Sequence, residues 1–144
     1  AADADLMPKD RLAALAILRR LADQRLQQDA TALTALRGRI AGLQAAKAQL
    51  RHKAAHEGAI LSAEAAPYVV RFLRSVRAEE VRLDGEIARL AQAVAHQDRI
   101  VRESFREARV MGRAEADARA TRKAAAARRE GQALDDVAVM RPRA

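Results

Sequence analysis

The stretch VVRFLRSVRAEEVRLDGEIARLAQAVAHQDRIVRESFREARVM, residues 69–111, decides the fold class. Leu73, Ile87, Val94, Val101 and Ala108 fall on one seven-residue series. Val69, Val76, Leu83, Leu90 and Met111 fall on another, offset by three. Apolar residues at alternating steps of three and four line one stripe of an α-helix, the a and d positions of a coiled-coil heptad. The polar exceptions are Glu80, Gln97 and Ser104. Upstream, Leu12, Leu26, Leu33 and Ile40 form an a series, and Leu15, Leu36, Leu43 and Leu50 a d series. Arg19 and Lys47 interrupt the a positions and Asp29 a d position; such residues weaken a seam but help to set its register.

Between the two tracts, residues 58–67 break the pattern. Gly58 can end a helix, Ser62 can cap the next, and Pro67 suits a first turn. Asp10 is a candidate N-cap for the first helix. Two long helices joined by a short connection fold back on each other, so the expected architecture is all-α, an antiparallel coiled-coil hairpin over residues 1–130. A turn centred near residue 62 sets Leu12 opposite Met111 and leaves residues beyond about 115 without a partner helix. In that overhang Glu115 and Arg119 form a favourable i,i+4 pair. Gly131 is expected to end the helix, with 131–144 a flexible tail.

Composition agrees. Of 144 residues, 37 are alanine and only three are aromatic, so bulky side chains are too few for a compact core. Six glycines and three prolines are too few for a turn-rich β fold. There is no cysteine, which excludes disulfides and thiolate metal sites and fits a reducing compartment. No apolar run approaches the roughly 20 residues that span a bilayer, and Ala1 to Asp10 lacks the basic start of a signal peptide. The expectation is a cytoplasmic protein without membrane insertion.

Candidate chemistry is sparse. His52 and His56 share a helix face at metal-ligand spacing, but the residue after His52 is Lys53 rather than the glutamate of a metalloprotease helix. Glu79, Glu80, Asp84 and Glu86 cluster among arginines, as a solvated charged face does. No phosphate loop or nucleophile signature is present, so no catalytic residue, metal or cofactor is expected. The formal charge is +8, with 23 arginines among 27 basic residues. Arg99, Arg102, Arg106, Arg109 and Arg113 recur every three or four residues and share a face suited to an acidic partner. Nucleic-acid binding is the rival reading, set back by interleaved acids and by a lack of aromatic platforms beyond Phe105. Tyr68 and Phe72 lie off the seam beside the turn, either as a binding anchor or as a wrap over the hairpin end.

The two heptad tracts, the central turn and the Ala/Arg-rich extension after Met111 together resemble the FliJ/YscO (SctO) family, the central stalks of flagellar and virulence type III secretion ATPases. The resemblance covers about 120 residues and rests on pattern, not on a signature motif. It implies a non-enzymatic stalk at the inner-membrane export apparatus. Its partners would be a hexameric secretion ATPase, an export-gate protein and secretion chaperones. Leu12 to Leu26 with Val101 to Arg122 would face the ATPase through the five arginines. Tyr68 and Phe72 would face the gate or chaperone. A generic coiled-coil scaffold remains an alternative, and polar a and d positions leave room for self-association.

Overall fold

In the computed structural model, residues 8–58 and 66–141 are described. They form two helices, α1 (Pro8–Gly58, 51 residues) and α2 (Ala66–Met140, 75 residues), which pack against each other as an all-α helical hairpin. Ala, Leu, Arg, Gln and Glu dominate both, and each is among the strongest helix formers. The prolines sit where a missing N–H costs nothing. Pro8 opens α1, and Pro67 is the second residue of α2. Asp10 lies inside the first turn of α1, where a carboxylate complements the helix dipole; it is not the cap. Gly58 is the last residue of α1, as expected. Ser62 and residues 59–65 lie outside the described residues.

Helix α2 does not stop at Gly131. It continues to Met140, and the Arg141 N–H still donates to the Val137 carbonyl at 3.2 Å. A lone helical glycine costs about 1 kcal/mol against alanine, too little to end a helix flanked by Arg128, Arg129, Glu130, Gln132 and Ala133. No glycine among the described residues has a positive φ, so Gly131 forms no left-handed cap.

The chain divides into two compact units. The central unit, Gln28–Arg102, holds all five buried apolar residues of the described chain: Leu33, Val69, Val76, Leu83 and Leu90. Four belong to the d series of α2, spaced by seven, with Leu90 the most enclosed at 2% exposure. On α1, Leu36, Ile40, Leu43 and Leu50 are half-buried along the expected stripe. The a series of α2 is less enclosed. Ile87 and Val94 are half-buried, and Leu73 is exposed.

Two ion pairs set the register here. Lys47 Nζ meets Asp84 at 2.6 Å and Arg51 Nε meets Glu80 at 3.0 Å; four residues forward on α1 is four back on α2, so the helices run antiparallel.

In the terminal unit, Ala1–Gln27 with Glu103–Ala144, Arg19 pairs with Glu115 and Arg25 with Glu107. A heptad before Arg19, Leu12 is therefore level with about Arg122. This corrects the expected pairing with Met111. Leu15 and Arg11 line one groove with Ala118, Arg122 and Ala125, so α2 is partnered well past residue 115. A seven-residue pattern matches its partner equally well after any heptad shift, and only the polar side chains distinguish the alternatives.

The two roles of α2 residues separate in mutants. Leu90→Ala should destabilise the fold by about 2–4 kcal/mol, since it removes the best-enclosed side chain from a thin core. Gly85→Ala should stabilise it by about 0.5–1 kcal/mol, because Gly85 is helical and its added methyl meets nothing within 4 Å. Urea unfolding followed by circular dichroism gives both values.

Candidate functional site

The terminal unit has an unusual interior: its only buried residues, among those described, are Ser104 and Glu115. Leu12, Leu15, Leu26 and Met111 are half-buried around them. Glu115 was expected on an exposed overhang; it stands instead at an a position against Arg19, which the heptad also places at a. Arg19 Nε donates to one carboxylate oxygen of Glu115, and an Arg119 terminal nitrogen donates to the other at 3.0 Å. Arg19 also donates to Asp23 at 2.8 Å. One enclosed carboxylate thus ties two arginines and both helices together. The hydrogen bond to Glu115, more than charge attraction, raises the Arg19 pKa further. A carboxylate taken from water is tolerable only when its lone pairs are met, and here both oxygens are.

The same logic explains the carboxylates of the central unit. Glu80 and Asp84 reach across to Arg51 and Lys47, whereas Glu79 and Glu86 bind Arg82 and Arg89 on their own helix, at 2.6 and 2.5 Å. Hydrogen bonds from Arg82 and Arg89 hold Glu79 and Glu86 below the usual carboxylate range. Gln97, a polar d residue, donates its side-chain amide to the backbone carbonyl of Asp29, the polar d residue of α1, at 3.0 Å. Lys47 and Glu80, interruptions at a positions, instead find charged partners beside the stripe, Asp84 and Arg51.

The five arginines of α2 are all exposed. Arg99 and Arg102 belong to the central unit; Arg106, Arg109 and Arg113 belong to the terminal unit and line one shallow cleft with Val110 and Gly112. Arg102 pairs with Asp98 at 3.0 Å and Arg106 with Glu103 at 3.8 Å. The Arg109 guanidinium lies 5.9 Å from the centre of the Phe105 ring. That ring is a seat for a cation on its own helix.

Tyr68 and Phe72 stack, with ring centres 6.5 Å apart and planes at 12°. Tyr68 is 63% exposed while Phe72 is half-buried, so the pair offers one open ring on a fixed base. The connecting residues 59–65, over which the pair was expected either to wrap or to stand free, lie outside the described residues. His52 and His56 are exposed, and no group of three or more His, Asp or Glu able to hold a metal ion occurs among the described residues. Among the described residues no helix is long and apolar enough to cross a membrane.

Comparison with protein-family models, with curated proteins and with solved structures finds no match to this chain.

Glu115→Ala should lower the melting temperature of the full chain far more than Asp117→Ala, an exposed acid two residues on. In a double-mutant cycle, Arg19→Ala and Glu115→Ala together should cost less than the sum of the two single losses. Additive losses would mean that Glu115 acts by packing and not by pairing with Arg19.

The lowered pKa values carry a pH sign. Each pair favours the ionised carboxylate, so its contribution is complete above the unfolded glutamate pKa of about 4.3 and is lost as pH falls through the lowered folded value. Side-chain carboxyl NMR titration should show Glu79 below its ordinary range, and Arg82→Gln should return it there.

Proposed function

We propose that this chain is a non-enzymatic coupling protein of a type III export apparatus, which presents its terminal unit to the central opening of a hexameric secretion ATPase. The observation that carries the reading is the tie at Glu115. A two-helix end meant to sit in a ring and follow its subunits must keep its helices from sliding past each other. An enclosed carboxylate bonded to Arg19 and Arg119 opposes sliding. The outer face of that unit supplies Arg106, Arg109 and Arg113 for acidic side chains of the ring. Of these three, Arg106 pairs with Glu103, which leaves the Arg109 and Arg113 charges for a partner. Tyr68, seated on Phe72, is the candidate contact for an export-gate or chaperone partner. The nucleic-acid reading loses support because Phe105 sits under Arg109 and Arg106 is shared with Glu103.

The reading is tested by capture of the full chain on a co-encoded secretion ATPase hexamer. Arg109→Glu with Arg113→Glu should weaken binding at least tenfold, and the wild-type contact should fade as salt rises. Tyr68→Ala with Phe72→Ala should leave that contact intact and reduce binding to the gate or chaperone. Retained ATPase binding by the arginine variant overturns the assignment, as does a salt-steep gel shift with RNA in place of ATPase capture.

A further inference from the structure

The terminal unit carries two apolar surfaces that the hairpin leaves uncovered. The first is on α1. Ile17, Leu18 and Leu21 recur at helical spacing on the side away from the seam and are 57, 46 and 56% exposed. Ala14, also exposed, extends the stripe by a turn. The second is at the end of α2, where Leu134, Val137 and Met140 are 70, 53 and 83% exposed, with Ala138 beside them. Exposed leucines scattered singly need no explanation, but two helical stripes of them within one small unit do.

The stripes are matched in charge. Residues 11–25, which contain the first stripe, hold four arginines and one aspartate, and Asp23 is already bound to Arg19. Arg11 and Arg20 rim the stripe, while Arg25 is shared with Glu107. Residues 130–140, which contain the second, hold Glu130, Asp135 and Asp136 and no basic residue. Asp135 and Asp136 flank its apolar arc on opposite sides.

Within one chain the two stripes cannot meet. Helix α2 runs unbroken to Met140, and Arg129 already lines a groove with Arg11 near the start of α1. The pairing of Arg19 with Glu115 sets Ile17 level with about Asp117, so Leu134 lies about 17 residues further out. At 1.5 Å per residue the two are roughly 25 Å apart along the axis.

We propose that the uncovered stripe on α1 is the docking site for the C-terminal end of α2 from a second copy of this chain. The exchange is isologous: each copy receives the other's Leu134–Met140 segment on its own Ile17–Leu21 face, with Asp135 and Asp136 set against Arg11 and Arg20. Each contact buries only a few side chains a side, so the dimer is weak and forms with rising concentration. The inference rests on the terminal unit alone and stands whether or not the export reading does.

The test is sedimentation equilibrium of the full chain. The apparent mass should rise from 15.7 kDa towards twice that value as concentration increases. Ile17→Asp and Leu134→Asp should each weaken association at least tenfold without changing helicity, because each removes both contacts of the symmetric pair. An equimolar mixture of the two variants should associate better than either alone. A mixed pair keeps one intact contact: the unaltered α1 face of one copy receives the unaltered C-terminal end of the other. Asp135→Arg with Asp136→Arg changes only exposed residues, so it should weaken the dimer with the fold intact, and adding Arg11→Asp and Arg20→Asp should restore it. A wild-type mass that stays at 15.7 kDa up to about 1 mM overturns the proposal, as does a Leu134→Asp variant that dimerises normally. So does a mixture that behaves as the sum of its parts.

Discussion

Pairing of polar side chains across the helix seam is the constraint on which the rest of this structure depends. Apolar a and d residues drive the helices together, and their burial is non-directional. In the central unit only five such residues are well enclosed, four of them on one helix. A core that thin does little to distinguish one longitudinal register from another. Lys47 with Asp84, Arg51 with Glu80 and Gln97 with the carbonyl of Asp29 do distinguish them, because each pairing has a length and an angle that a heptad slip would break. In the terminal unit the same task falls to Glu115 between Arg19 and Arg119.

This division has an energetic logic. Exposed ion pairs add little stability, generally under about 1 kcal/mol. Their value here is specificity: a misregistered seam would leave a charge in the stripe without its partner, and an enclosed Glu115 without an arginine is costly. The terminal unit carries this further, since its buried residues are polar while its leucines and methionine are only half covered. It is a part of the molecule held in register more firmly than it is packed. Its leucines keep apolar surface that two helices alone leave uncovered.

The surfaces available for that contact are chemically distinct. Arg106, Arg109 and Arg113 offer a cationic cleft, Ile17 to Leu21 an apolar stripe within a basic rim, and Leu134 to Met140 an apolar stripe within an acidic one. Tyr68 offers a single open ring in the central unit. Each of these surfaces is set by the helix faces that the seam leaves exposed.

Much of the fold was legible in the sequence because helix formation and heptad periodicity are local properties. The a and d stripe from Leu12 to Leu50 coincides with the least exposed residues of α1, Arg19, Asp29 and Lys47 included, and the d series from Val69 to Met111 lies at the most enclosed positions of that tract. Gly58 and Pro67 marked the break for reasons confined to their own backbones. What depended on distant partners was not legible. Glu115 looked like a surface residue beside Arg119 until the register placed Arg19, 96 residues away in sequence, against it. Leu73 looked like core by its place in the a series, yet it is 42% exposed. Gly131 read as a stop because its intrinsic cost is visible locally, whereas the helix-forming run on either side outweighs it. Periodicity determined which faces meet. Only the tertiary structure decided which residues meet, because a repeat of seven fits itself at every seventh position and the tie is broken by side chains far apart in the chain.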